Sequence, residues 1–219
     1  MDAAAHIADT AAMDIDRARN ELAAASRDMH MRGWVPATSG NFSLRLDDGD
    51  IAITASGRDK ARLTASDILR LSLEGQALED QRPSAETGLH LQLYRRDAGI
   101  RAVLHTHSVT ATLASMREPG GLRFEGLEIL KAFPGIRTHD ARLDIPVFAN
   151  SQDIAALARQ VEGHMREFGQ GHAYLIAGHG LYTWGASLDA CMRQLEALEY
   201  LFEYHRLQYV PAAQGSGAR

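Results

Sequence analysis

Phe42-Ser43-Leu44-Arg45-Leu46-Asp47-Asp48-Gly49-Asp50-Ile51-Ala52-Ile53 is the stretch on which the fold turns. Apolar Phe42, Leu44 and Leu46 alternate with Ser43 and Arg45, and Ile51 and Ile53 resume the alternation after a turn of Asp and Gly. Period-two patterning on both sides of such a turn predicts a β-hairpin. A hairpin is antiparallel, which argues against a purely doubly wound parallel sheet. Helical and strand patterns mix through the rest of the chain, so the expected class is an α/β sandwich.

Upstream, Ile15, Ala18, Leu22, Ala25 and Met29 step by three and four inside a periodic segment from Asp9 to Arg32, one helical stripe that Gly33 can stop. Downstream, Pro83 can open a helix carrying Leu89 and Leu93. Arg101 to His107 is strand-like, and Ile145 to Ala149 is a short strand with Pro146 at an edge or a start. Asn150 or Ser151 then caps a helix with Ile154, Leu157, Ala158, Val161 and Met165 on one face. Two strands, Ala173 to Ala177 and Leu181 to Trp184, flank Gly178-His179-Gly180. Ser187 caps a long last helix with Cys191, Leu195, Leu198 and Phe202 inward, and the tail Gln214-Gly215-Ser216-Gly217 is expected to be mobile. No linker or repeat divides the sequence, so one domain over residues 1–219 is expected, with its core at about 10–209.

Composition removes several function classes. With 45% hydrophobic and 23% charged residues among 219, the chain is not of the disordered type. Twenty-three basic against 28 acidic residues, a net of −5, argue against a nucleic-acid partner. One small anion held in a pocket stays compatible with that charge. The single cysteine, Cys191, excludes an internal disulfide and fits a reducing cytoplasm. The first residues are acidic where a signal peptide is basic, and no apolar run approaches the roughly 20 residues that span a bilayer. A cytoplasmic protein without a membrane partner is therefore expected.

Ten histidines are present, and two of them, His105 and His107, sit one residue apart in an apolar run. On a strand they point the same way, roughly 7 Å apart. That lets both rings converge on one ion through bonds of about 2 Å. A pair of half-buried, hydrogen-bonded histidines is the plainer alternative. His179 favours the metal: between two glycines, its ring has no packing reason to be there. Three imidazoles leave one position open, the pattern of a catalytic zinc, although iron, cobalt or manganese can use the same donors. His6, His30, His90, His139, His164, His172 and His205 give no comparable signal.

A metal on three neutral ligands keeps its charge to polarise a carbonyl, and proton transfer then needs a carboxylate. Glu86 starts a helix, where a glutamate is often no more than a favourable charge–dipole contact. Glu128, in Leu127-Glu128-Ile129-Leu130-Lys131, looks by itself like an ordinary exposed helix residue. Small-residue loops at Thr38-Ser39-Gly40-Asn41 and at Thr54-Ala55-Ser56-Gly57-Arg58-Asp59-Lys60, with Ser84 at the helix start, carry the parts of an anion nest. Each alone is a turn, and none is a Walker or dinucleotide fingerprint.

Taken in order, Ser39-Gly40-Asn41, Thr54-Ala55-Ser56-Gly57, Pro83-Ser84-Ala85-Glu86, His105-Thr106-His107 and Gly178-His179-Gly180 make the chain resemble the class II aldolase/adducin superfamily from about Ile15 to Tyr209. The resemblance implies a three-layer α/β/α fold around a mixed, largely antiparallel nine-stranded sheet. It implies one zinc ion per subunit on His105, His107 and His179, and a sugar-phosphate substrate. Ser39, Gly40, Asn41, Ser56, Gly57, Lys60 and Ser84 are the expected phosphate ligands. The family's aldolases use a glutamate 19 residues before the first metal histidine, which is Glu86 here. Its sugar-phosphate dehydratases, to which Leu127–Lys131, Leu143–Asn150 and Gly180–Gly185 are most similar, use the glutamate that matches Glu128. Glu128 is thus the expected principal acid/base of a hydro-lyase, with Glu86 assisting. Animal dehydratases carry a cysteine where this chain has Glu86-Thr87, so Glu86 can share the chemistry or only contact substrate or metal. The resemblance also implies a homotetramer with sites near subunit boundaries, where Tyr200, Tyr204 and Tyr209 can lie unless they are core residues. An aldolase or epimerase on another sugar phosphate, a metal-free adducin-like interaction module and a zinc hydrolase are the competing functions.

Overall fold

The structure is a computed structural model and describes residues 12–208. Asp9, His6, Tyr209 and the Gln214–Gly217 tail lie outside the described residues. Helix α1 (Ile15–Met31) starts where the Asp14 carboxylate accepts from the Arg17 amide, later than the Asp9 that periodicity suggests. It ends as expected at Gly33, whose φ of +77° follows the last turn.

The hairpin forms as strands β1 (Asn41–Arg45) and β2 (Ile51–Thr54), with Ser43 opposite Ile53. Strand β3 (Ile68–Leu71) pairs with β2, and helix α2 (Thr87–Arg96) follows. Pro83 does not open that helix: residues 83 and 55 form an isolated antiparallel bridge, and the helix begins four residues later. Strand β4 (Ala102–Thr106) pairs with β1, helix α3 (Val109–Arg117) follows it, and β5 (Leu122–Glu125) comes next.

The predicted Ile145–Ala149 strand is in fact split. Strand β6 (Arg142–Ile145) pairs with β5 alone, whereas β7 (Val147–Phe148) joins the main sheet parallel to β8 (Ala173–Ile176). Pro146 stands at the break. It has no N–H for a ladder, and its carbonyl accepts from the Leu175 amide as the chain crosses over. The nine strands of the described residues are therefore divided, seven in one sheet ordered β3-β2-β1-β4-β9-β8-β7 and two in a separate ribbon, not joined in one. Helix α4 (Ile154–Phe168) is capped by Asp153, not by Asn150 or Ser151, because the Asp153 carboxylate reaches the Ala156 amide while Ser151 accepts from the Asp153 amide. Strand β9 (Gly180–Gly185) and helix α5 (Leu188–Gln208) complete the chain, with Ser187 accepting from the Ala190 amide.

Two apolar clusters lie on the two faces of the sheet. Phe42, Leu44, Leu104 and Leu181 pack with α1, α3 and α5, while Ile51, Ile53, Val103 and Tyr182 pack with α2 and α4. The layers are α/β/α, as the resemblance implies, and the sheet is mixed but mostly antiparallel. Both faces are covered, so even a polar residue inside a hairpin strand can be withheld from water. Ser43 is fully buried against α2, where its hydroxyl meets His90 and Tyr94.

Candidate metal centre and active site

The C-terminal end of β4 carries the site, because three chain segments converge there. Asn41 opens β1 directly opposite His105, and Tyr182 of β9 lies opposite it on the other side. Two glycines permit the approach. A Cβ on Gly40, whose φ is +76°, would stand 2.7 Å from the His105 carbonyl, and one on Gly180 only 2.0 Å from that of Thr106. The Gly178-His179-Gly180 turn thereby folds back over β4, with the His179 amide donating to the Ile176 carbonyl. The His107 amide donates to the Trp34 carbonyl, which fixes the strand's exit.

Glu86, His105, His107 and His179 each present one donor atom, and these lie within 4.8 Å of one another. The Nε2 of His105 is 2.7 Å from that of His107 and 3.3 Å from that of His179. Glu86 approaches His179 at 2.9 Å through Oε1 and His105 at 3.3 Å through Oε2. Burial would raise the Glu86 carboxyl, but hydrogen bonds and charge from His105 and His179 outweigh it and hold the group well below the usual range. Burial also pushes His107 down to about 3, helped by its two neighbouring histidines, and lowers His105 against the pull of Glu86.

These donors fit a divalent cation. Nδ1–H of His105 donates to the Leu181 carbonyl at 2.9 Å, which directs Nε2 into the cluster and leaves it a lone pair when the ring is neutral. Three ring nitrogens beside an anionic carboxylate need positive charge between them, and a metal supplies it without costly protonation of buried rings. The His105 ring stacks on Tyr182 at 4.0 Å, and Tyr182 on Tyr174 at 4.9 Å, so the ligand set rests on a rigid aromatic pile.

The expected anion loops also come together. Ser56 N–H donates to the Arg82 carbonyl beside the antiparallel Ala55–Pro83 bridge, which brings the Thr54–Gly57 loop alongside the segment that leads through Ser84 into α2. Lys60 differs from an open phosphate ligand. It is 1% exposed, and its ammonium donates to the carbonyls of Thr38 at 3.1 Å and Arg58 at 2.9 Å, tying both loops from beneath. Burial lowers its pKa to about 8 despite Asp59 and Asp67 nearby. Ser39 donates to the Pro36 carbonyl, and the Asn41 side chain is committed to Glu86 at 2.7 Å and to His90. Glu128 is not one of the four clustered residues. It begins the 3-10 helix Glu128–Ala132, stands 71% exposed and pairs with Lys131.

Sequence reasoning missed His90 and Tyr182. His90 carried a usable signal, since it follows Glu86 by one helical turn and so shares its face. Tyr182 had none, because its contact with His105 is a cross-strand pairing. Of the remaining expectations, Cys191 is buried in the core as its stripe implies, while Tyr200 and Tyr204 are exposed rather than core.

Comparison with known proteins agrees with this geometry. Residues 20–205 match the family described as class II aldolase and adducin N-terminal domain. A methylthioribulose-1-phosphate dehydratase of Alcanivorax borkumensis is 52% identical over 185 residues, covering 84% of this chain and 88% of that protein. One of Methylococcus capsulatus is 52% identical over 183 residues, covering 84% and 90%. Among solved structures, L-fuculose-1-phosphate aldolase from Thermus thermophilus superimposes with a TM-score of 0.66 at 33% identity, covering 87% of this chain and 97% of that one. With three histidines and a glutamate gathered at the end of the central strand, and with the family pattern running through nearly all the described residues, this chain belongs to the class II aldolase and adducin N-terminal domain family.

Proposed function

We propose that this protein is a methylthioribulose-1-phosphate dehydratase, a hydro-lyase that converts 5-methylthioribulose 1-phosphate to 2,3-diketo-5-methylthiopentyl 1-phosphate and water, a step of methionine salvage. The observation that carries the proposal is the half-identity to dehydratases over most of both chains, joined to a carboxylate seated among three histidines. Zinc, one per subunit on His105, His107 and His179, would polarise the C2 carbonyl and acidify the C3 proton when bound.

The chain's own groups then divide the proton transfers. One carboxylate takes the C3 proton, and an acid returns a proton to the departing C4 hydroxyl, so that water leaves and the enol tautomerises to the diketone. Glu128 is assigned as principal acid/base. Glu86 assists from within the cluster, where its hydrogen bonds keep it ionised and suit it to a base or a metal ligand. Ser39, Gly40, Asn41, Ser56, Gly57 and Ser84 frame the phosphate site, with the Ser56 and Ser84 hydroxyls as its donors because the Ser39 and Ser56 N–H groups donate to the Pro36 and Arg82 carbonyls. Lys60 supports them with its charge and by fixing both loops. The exposed Tyr200 and Tyr204 belong to the assembly face of a cytoplasmic homotetramer.

The test is turnover of 5-methylthioribulose 1-phosphate with metal analysis of the same sample. Diketone formation with about one equivalent of zinc per chain is expected. A second function, class II aldolase cleavage of C3–C4, is favoured by the placement of Glu86 at the aldolase acid/base position and by the likeness to an aldolase. Release of a C1-phosphorylated ketone and an aldehyde from fuculose, rhamnulose or ribulose phosphates, with no diketone from the thioether substrate, would establish it instead.

A further inference from the structure

A buried chain of hydrogen bonds runs from the α2 side of the sheet to Glu86. The Tyr94 hydroxyl lies 2.8 Å from Ser43 Oγ, and Ser43 Oγ lies 2.7 Å from His90 Nδ1. His90 Nε2 bonds Asn41 Oδ1, and Asn41 Nδ2 donates to Glu86 Oε2 at 2.7 Å. Ser43, His90 and Tyr94 are at most 1% exposed, so water cannot substitute for any of these partners.

Every proton in the chain follows from the charge at its end. An ionised Glu86 only accepts, so the Asn41 amide must turn its NH2 to the carboxylate and its oxygen to His90. That oxygen only accepts, so the proton of His90 sits on Nε2. The bare Nδ1 then accepts from Ser43, whose oxygen accepts from Tyr94. All donors point the same way, toward Glu86.

We infer that His90 is a positioning residue for the site. Through Asn41 it fixes Glu86 with Oε2 engaged, 3.3 Å from His105, and with Oε1 turned to His179 at 2.9 Å, so that both oxygens keep one orientation against the histidines. The inference rests on Glu86 working at the reacting centre, as proposed above. No step of the reaction passes through His90 itself.

The first measurement is of ring-nitrogen chemical shifts by NMR in the unvaried protein. His90 is expected as the Nε2–H tautomer, and an Nδ1–H tautomer overturns the inference. The second compares H90Q, whose amide nitrogen can still donate to Asn41, with H90N, which can reach only Ser43. For H90Q, kcat within about threefold of the parent is expected; for H90N, a loss of about 10- to 100-fold at a KM changed less than about threefold. Cobalt affinity of the metal-free proteins should fall in the same order. Equal losses in both variants, following their melting temperatures, would reduce His90 to a packing residue. Should the parent itself fail to dehydrate methylthioribulose phosphate, the proposed function falls, while the tautomer and the cobalt series still decide the role of His90.

Discussion

Glu86 is held by Asn41, His179, His105 and, at 3.5 Å, by the hydroxyl of Tyr182. A carboxylate so enclosed is anionic and rigid, whereas Glu128 is exposed beside Lys131 and free to follow a substrate. The two glutamates should therefore fail differently. For Glu128→Gln, loss of dehydration by about 10²-fold or more with full metal content is expected. For Glu86→Gln, activity and metal affinity should fall together, because the substitution replaces the only anion among the three rings. Inductively coupled plasma metal analysis beside initial rates separates the cases. Near-normal turnover in the Glu128 variant would remove it from the mechanism and leave Glu86 as the acid/base.

Strand β4 and its exit can carry two of the clustered histidines only because the neighbouring strands come close enough to aim them. The decisive contact is Gly180 at the start of β9, where an added Cβ would lie 2.0 Å from the Thr106 carbonyl and 3.2 Å from the His105 ring. Gly180→Ala must push β9 off β4, and a loss of about 2–4 kcal/mol in unfolding free energy is expected, with weakened metal binding. Gly163 in the middle of α4 makes the useful contrast, since a Cβ added there would meet nothing within 4 Å and the residue is exposed. Gly163→Ala should leave stability unchanged or raise it by up to about 1 kcal/mol. Urea denaturation of both variants measures the difference. Equal midpoints would show that the β4–β9 approach is not as tight as the backbone demands.

At the scale of the whole molecule, α3 and α5 close one face of the sheet and trap Glu199 between them. Its Oε2 accepts from Thr110 at 2.7 Å, its Oε1 has no hydrogen-bond partner among the described residues, and burial raises its pKa to about 7. The folded state thus holds the proton more tightly than the unfolded chain does. The stabilisation this gives is fully present below the ordinary value of 4.5 and is lost as pH rises through about 7. Stability should fall by roughly 2–3 kcal/mol between pH 4.5 and pH 8 from this group. Glu199→Gln should remove that slope and make the protein more stable than the parent at pH 8. Denaturation midpoints of the pair at pH 5 and pH 8 check it, and parallel lines would place the proton elsewhere.

The sequence by itself determined the hairpin, the α1 stripe and the three clustered histidines, because each is written in local spacing: a period of two, a period of 3.6, or an aromatic residue held between glycines. It also carried the family pattern, since motif order survives without coordinates. Only the tertiary structure decided that Pro146 parts the strands into a seven-stranded sheet and a separate ribbon, a matter of which distant strand accepts each edge. It likewise decided that Glu86 and not Glu128 joins the histidines in the folded chain, that Lys60 turns inward to hold two loops, and that Ser43 and His90 serve a buried polar chain. Those outcomes depend on contacts between residues 22 to 93 positions apart, such as Lys60 with Thr38 and Glu86 with His179. Periodicity specifies which face a side chain takes, and only the packed sheet specifies what that face meets.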